Sequence, residues 1–114
     1  MNLEEVREYC LTLPRVTEDM PYGPDVLVFR IEGKIFMHLW LGSDIAKIAI
    51  KLDPERGEEL RDQYSAFTPA FHMNKKHWSD VIVDEGFTNK QVEEWIRESY
   101  ELVRSKLPKA IRDL

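Results

Sequence analysis

The pattern of apolar and polar positions predicts a helix at each end of the chain. Near the start, apolar residues recur three or four positions apart, as on one buried face of a helix: Leu3, Val6, Cys10 and Leu13. A longer stripe of the same kind lies near the end: Val92, Trp95, Ile96, Ser99, Val103 and Leu107. Asn2 with Glu5, and Thr88 with Gln91, have the spacing of capping boxes, which predicts where the two helices begin.

Between these helices, runs of β-branched, aromatic and alternating residues predict five strands. The runs span residues 26–31, 34–41, 45–52, 65–71 and 78–83. Short turns separate the first three, which favours an antiparallel meander. Asp53-Pro54 predicts a central helix that runs to about Tyr64, with Asp53 as its N-cap and proline in the first turn. Pro69 interrupts the fourth run and assigns it to an edge of the sheet.

The predicted order is α-β-β-β-α-β-β-α. Helices packed on one face of an antiparallel sheet form a two-layer α+β domain. The 114 residues suit a single domain, 1–114, that can bury a core without disulfides or metal. We expect Trp78 in the last strand to pack against the long helix, and Trp95 in that helix to pack against the last strand.

Composition limits the classes of function. The one cysteine, Cys10, cannot form an internal disulfide, which suits a reducing compartment. The start lacks a signal-peptide pattern, and no apolar run approaches the roughly 20 residues of a membrane span. We therefore expect a cytoplasmic protein without membrane contact. Nucleophile-elbow, Walker and dinucleotide-binding motifs are absent from the sequence, so it predicts neither an enzyme nor a cofactor.

The charge pattern contains one basic window in an acidic chain. The formal net charge is −5, from 21 acidic and 16 basic side chains. Proteins that bind nucleic acids non-specifically usually carry a basic surplus, because release of counterions dominates their affinity. Between Asp62 and Asp80 there is no acidic residue, whereas the segment 72–78, His-Met-Asn-Lys-Lys-His-Trp, lies inside that window. Any nucleic-acid site is therefore expected at this segment.

The segment 72–78 has three interpretations. Its lysines attract phosphate, His72, His77 and Asn74 can donate hydrogen bonds to it, and Trp78 offers a face for a base. Alternatively, the segment is a structured turn in which Asn74 adopts a left-handed backbone, Trp78 packs in the core and the lysines are solvated. His72 and His77 could also bind a metal together with His38, but the spacing matches no common metal motif, and we predict none.

Taken in order, these segments resemble the MmcQ/YjbR family of small bacterial proteins. The resemblance is strongest at His-x-Asn-Lys-x-His-Trp in 72–78 and covers nearly the whole chain in one register. It also includes the following segments: Pro-Tyr-Gly-Pro-Asp-Val-Leu-Val-Phe-Arg at 21–30, Gly-Lys-Ile-Phe at 33–36, Ile-Lys at 50–51, Asp-Pro-Glu at 53–55, Ser-Tyr at 99–100 and Leu-Pro at 107–108.

The resemblance implies a two-layer fold related to the bacterial frataxin CyaY and to secretion chaperones. It also implies DNA binding through two hairpin "wings", as proposed for similar proteins, and no established enzyme activity. Carried over by position, the implied site residues are His72, Asn74, Lys75, His77 and Trp78, with Lys51 as a neighbour. Lys76 belongs to the same basic segment, and Lys34 is a candidate for a phosphate contact at a wing tip.

The sequence thus predicts a nucleic-acid-binding protein, with DNA as the first candidate and a modest, salt-sensitive affinity. One alternative is a protein-interaction adaptor that uses the sheet face or an exposed helix, as related secretion chaperones do. A second is a frataxin-like binder of a metal or small ligand, with Glu4, Glu5 and Glu8 as candidate iron ligands. The partner expected is thus DNA or, for the adaptor alternative, a protein, and the oligomeric state is not predicted.

Overall fold

The computed structural model describes residues 1–71, 73–84 and 86–113. The elements in chain order are α1 (Leu3–Thr12), β1 (Val16–Asp19), β2 (Val26–Ile31), β3 (Lys34–Trp40), β4 (Lys47–Lys51), α2 (Pro54–Gln63), β5 (Phe67–Pro69), β6 (Trp78–Ile82), α3 (Asn89–Ser105) and α4 (Lys109–Arg112). The predicted α+β class is confirmed. Among the described residues, every helix is too short or too polar to cross a membrane.

The strands form one six-stranded antiparallel sheet in the order β1-β2-β3-β4-β6-β5. The predicted meander is present in β2, β3 and β4, and β5 lies at an edge, as Pro69 indicates. Glu32 and Gly33 connect β2 to β3 with φ angles of 48° and 80°. Two successive residues with positive φ make the tight turn that suits the twist of a β-hairpin. This turn places Lys34 at one end of the sheet.

One face of the sheet carries the core. The inward side chains of the strands meet the apolar faces of α1 and α3, and Leu60 contributes from α2. The stripe predicted for α3 is confirmed: Val92, Trp95, Ile96, Ser99, Val103 and Leu107 are all buried. Within the described ranges, no helix covers the middle of the other face, which we call the open face, and residues 22 and 73 border a cavity on it.

The structure contains two elements beyond the predicted order, β1 and α4. The sequence of β1, Val-Thr-Glu-Asp, has one apolar residue and therefore lacks the alternation that predicts a strand. β1 becomes a strand because it pairs with β2. An ion pair of Arg30 with Asp19 joins the two strands, and an ion pair of Arg7 with Glu18 joins β1 to α1.

The predicted burial is correct for Trp95, although its ring partners lie in β5 and in loops and not in the last strand, and it is wrong for Trp78. Trp95 is 5% exposed and lies edge-on to Phe67 of β5 and Phe87. Trp78 is half-buried on the open face, where its ring meets the edge of His38 with centroids 5.1 Å apart. Successive residues of a strand alternate between faces, so the register of β6 decides the side on which Trp78 lies.

Candidate functional site

Three strands bring the predicted lysines and the basic segment to the same end of the sheet. β3 begins at Lys34, β4 ends at Lys51, and β6 begins at Trp78. Because these strands are antiparallel neighbours, the three positions share one end, and Lys51 pairs directly with Trp78. The loop that carries Lys75 and Lys76 enters the sheet at this point.

Ser99 of α3 fixes the end of β4 against the helix layer. Its hydroxyl donates to the carbonyl of Phe36 over 2.5 Å and accepts the N–H of Lys51 over 2.8 Å. A buried hydroxyl with both partners satisfied holds two strands in place. Ser99, the polar residue within the predicted apolar stripe of α3, therefore positions the backbone of Lys51, a candidate site residue.

A small cavity of about 190 Å³ lies beside this bond, between the sheet and the C-terminal end of α3. Three lysines contribute to its lining, Lys34, Lys51 and Lys106. Four apolar side chains complete it: Ile35, Val103, Leu107 and Pro108. The sequence did not single out Lys106. It is 55 positions from Lys51, and no motif connects the two.

The turn that precedes β6 is organised by Asn74. Its side-chain oxygen accepts the N–H of Lys76 over 2.9 Å, and its carbonyl accepts the N–H groups of His77 and Trp78. The carbonyl of His77 in turn accepts the N–H of Leu52 over 2.8 Å, which attaches the turn to the end of β4. Asn74 thus serves the local architecture, as the structured-turn interpretation predicts.

Two details of that interpretation are wrong. Asn74 does not have the left-handed backbone that was expected, since the described non-glycine residues with positive φ are Arg15 and Glu32. Trp78 does not enter the core. The side chain of His77 makes no hydrogen bond with any described residue, and His72 lies outside the described residues.

The lysines at this end differ from most other cations of the protein. We define the lysine end as Lys34, Lys51, Lys75, Lys76 and Lys106. In the described part of the chain, none of these five forms an ion pair, whereas the ion pairs that are present use arginine or Lys47. Lys75 lies 5.8 Å from the centre of the Phe71 ring. Free, largely exposed ammonium groups remain available to an anion.

One group of acidic residues lies at the opposite end of the sheet. Glu4, Glu5, Asp44 and Asp84 line an open cavity of about 680 Å³ between the start of α1 and the loops that follow β3 and β6. Glu8 is not part of this lining. Among residues 1–71, 73–84 and 86–113, no group of three or more histidine, cysteine, aspartate or glutamate side chains could hold a metal ion. The lysine end and this acidic group thus lie at opposite ends of the sheet.

His38, the third histidine considered for a metal, lies in the middle of the open face. Only 6% of its surface is exposed, and its Nδ1 is buried without a hydrogen-bond partner in the described part of the chain. Burial, helped by the nearby positive charge of Arg30, lowers the pKa of His38 to about 4. The imidazole is therefore neutral at pH 7.

Comparisons with known proteins agree with this fold. The model of the YjbR family matches residues 11–102. The uncharacterized protein YbdF of Escherichia coli O157:H7 is 35% identical over 106 residues, which cover 93% of this chain and 87% of YbdF. The uncharacterized protein YjbR of Escherichia coli K12 is 27% identical over 114 residues, covering 100% of this chain and 97% of that protein.

Two solved structures are also similar. The crystal structure of Deinococcus radiodurans protein DR2400, with a domain of the DUF419 type, superimposes with a TM-score of 0.92 at 33% identity. The match covers 98% of this chain and 86% of that one. A crystal structure of a Pseudomonas syringae protein gives a TM-score of 0.77 at 28% identity, covering 90% and 98% of the two chains. The family match extends over most of the sequence, and the chain belongs to the YjbR family.

Proposed function

We propose that this protein binds nucleic acid, with DNA as the first candidate, through the lysine end. The observation that carries the proposal is the meeting of lysines from separate parts of the sequence at one end of the sheet, without ion pairs among the described residues. The proposed role is binding without catalysis. The buried Cys10 suits a reducing compartment, and we propose that the protein acts in the cytoplasm.

The charge distribution explains why the affinity should be modest. Each lysine that contacts a phosphate releases about one counterion, which favours binding at low salt. The acidic residues around the opposite cavity, Glu4, Glu5, Asp44 and Asp84, and the exposed Asp53, two residues after the end of β4, oppose a polyanion. A strand is therefore attracted at the lysine end and repelled at the acidic cavity, so the charge distribution influences its orientation as well as its affinity.

The test is fluorescence anisotropy of labelled duplex DNA across a series of salt concentrations, with single-stranded DNA and RNA as comparisons. Changing both Lys75 and Lys76 to Ala should flatten the slope of log affinity against log salt by roughly two units, since two phosphate contacts are lost. Base preference should stay unchanged, because phosphate contacts carry no sequence information. A triple variant of Lys34, Lys51 and Lys106 tests the cavity separately.

A matched control is the double variant Lys90→Ala with Arg97→Ala, which removes the same two charges from α3 away from the lysine end. Its salt slope should equal that of the unchanged protein. If both double variants have the same salt slope, residues 75–76 are not the site of the phosphate contacts. Absence of binding at low salt, where attraction is strongest, would reject the nucleic-acid proposal and favour the adaptor alternative.

A further inference from the structure

The open face of the sheet contains a cavity that the proposed function does not use. Its volume is about 310 Å³, near the lower end of the range for small-molecule sites. The lining consists of Tyr22, Val26, His38, Trp40 and Met73. Strands β2 and β3 form its floor, and the segments around Tyr22 and Met73 form its walls.

Aromatic rings surround His38 on the open face. The ring of Tyr22 is within 15° of parallel to the imidazole, with centroids 6.0 Å apart. Trp40 is tilted by 35° at 6.2 Å, and Trp78 meets the imidazole edge-on. Tyr22 is 66% exposed, so much of its ring is in water. A flat ring that enters here gains stacked or edge contacts and covers apolar surface.

The imidazole of His38 supplies a hydrogen-bonding group at the floor of the cavity. Its Nδ1 is covered by protein atoms, so a ligand can reach the imidazole through its other nitrogen, Nε2. Because the ring is neutral at pH 7, that nitrogen donates or accepts one hydrogen bond according to the tautomer. Tyr22 and Trp40 of the lining also carry hydrogen-bonding groups, and a largely apolar cavity with a few such groups orients a ligand without requiring a charge.

A second buried polar atom lies in the same row of the sheet. His38 pairs with Ala49, and Ala49 pairs with Asp80, so the two polar side chains lie on the open face with one small residue between them. The Oδ1 of Asp80 also lacks a hydrogen-bond partner in the described part of the chain. Buried polar atoms without partners are few in native proteins, and two in one row mark this part of the open face as polar beneath its aromatic cover.

The charges next to the cavity cancel. Lys47 lies 4.7 Å above the centre of the Trp40 ring and 3.5 Å from Asp80. Arg30, which is close enough to influence His38, pairs with Asp19 at 2.7 Å. Among the described residues, these charged side chains next to the cavity are paired with each other, and an uncharged ligand fits it best.

From these observations we propose that the cavity binds an uncharged, flat heteroaromatic ring that contacts Tyr22 and Trp40 and exchanges one hydrogen bond with His38. Such a ring has two sources, a free small molecule or an unpaired base of a single strand. An unpaired base is included because the cavity wall and the lysine end are close along the sequence: Met73 of the wall is two residues from Lys75. The free-ring case stands independently of the proposed function.

The test uses ¹H–¹⁵N NMR of the full chain, following the side-chain N–H signals of Trp40 and Trp78. The probes are indole, adenosine and, as a non-aromatic comparison, cyclohexanol. Indole or adenosine should cause saturable shifts, whereas cyclohexanol should cause shifts at least tenfold weaker. Tyr22→Ala should weaken the binding of the aromatic probes roughly tenfold, as expected for the loss of one aromatic wall. The variant should fold normally, because the Tyr22 ring is mostly exposed.

The matched control is Tyr9→Ala, which removes a tyrosine that bonds to Arg97 in the helix layer. It should bind the probes like the unchanged protein. The proposal is overturned if neither aromatic probe shifts the tryptophan signals, or if both tyrosine variants bind equally. His38→Leu provides a second check. It should weaken the binding of a probe that forms the hydrogen bond with His38 and leave the binding of a probe that only stacks unchanged.

Two further arms separate the sources and the two proposals. A short oligodeoxyadenylate and an abasic strand of equal length are titrated into the unchanged protein and into the Tyr22→Ala and Tyr9→Ala variants. Selective weakening of the oligodeoxyadenylate by Tyr22→Ala identifies an unpaired base, whereas binding of adenosine alone identifies a free small molecule. The change of Lys75 and Lys76 to Ala should reduce strand binding but leave adenosine binding intact, so failure of one proposal is distinguishable from failure of the other.

Discussion

His38 is the residue whose environment departs furthest from what its chemistry prefers. A histidine at the surface is charged below about pH 6.5 and hydrogen-bonded to water. Here the ring is buried in the middle of β3 beneath Tyr22, and its Nδ1 has no partner in the described part of the chain. Arg30 and Lys47 lie on the same face and disfavour a further positive charge, although each is paired with an aspartate. The fold thus holds the imidazole in its neutral form.

This state predicts a loss of stability in mild acid. The pKa of His38 is about 4 in the folded protein and about 6.5 in the unfolded chain, so the unfolded chain binds more protons between these values. Stability therefore falls as the pH decreases from about 6.5 towards 4. His38→Leu should reduce the difference in unfolding free energy between pH 7 and pH 4.5 by about 2 kcal/mol. Urea unfolding at both pH values measures it.

His77→Gln is the control for this measurement, because it leaves His38 in place and changes a half-buried loop residue. It should retain the full pH dependence of the unchanged protein. If His38→Leu retains it as well, the loss of stability in acid comes from carboxylates and not from this imidazole.

At the scale of the elements, the three longer helices begin in two different ways. Thr88 and Asn2 accept the N–H groups of Gln91 and Glu5 through their side chains, so the capping boxes predicted for α3 and α1 are confirmed. Asp53 occupies the N-cap position of α2 as predicted, but its side chain makes no capping hydrogen bond. Proline in the first turn of α2 removes one of the N–H groups that would need a cap.

The two kinds of helix start predict different costs of substitution. Thr88→Ala should lower the free energy of unfolding by about 1 kcal/mol, as the loss of a side-chain cap usually does. Asp53→Ala should lower the free energy of unfolding by less than about half of that amount when it is measured in about 1 M salt. Salt at this concentration screens the interaction of the Asp53 charge with the helix dipole. Thermal or urea unfolding provides the measurement. Equal costs would mean that Asp53 caps α2 in solution.

At the scale of the whole molecule, the sheet is unequally supported. The central strands β3 and β4 have a strand on each side and lie beneath α3, and their inward side chains are buried. The edge strands have a partner on one side. β1 has no fully buried residue, and β5 is three residues long. Local opening is cheapest where few buried contacts are lost.

Hydrogen exchange should follow this arrangement. Hydrogen-bonded amides of β3 and β4 should exchange only through global unfolding, whereas those of β1 and β5 should exchange at least tenfold faster through local opening. Native-state exchange followed by NMR at increasing urea concentration separates the two routes. If β1 exchanges as slowly as β3, its ion pairs through Glu18 and Asp19 anchor it more strongly than the packing indicates.

The sequence by itself determined most of the elements, because the signals for helices and turns act over three or four residues. The capping boxes, the stripe of α3, and the restriction of β5 to an edge by Pro69 are of this kind, and so is the basic character of the segment before Trp78. β1 was missed since its short polar sequence gains strand geometry from pairing with β2.

The tertiary structure alone decided which side chains meet. The register of β4 between β3 and β6 aligns His38, Ala49 and Asp80 in one row, and a shift by one residue would have turned each of them to the other face. The packing of α3 on the sheet brings Lys106 beside Lys34 and Lys51. These pairings depend on contacts between distant segments. Local propensity does not encode such contacts, and the free energy of burying one common core selects them.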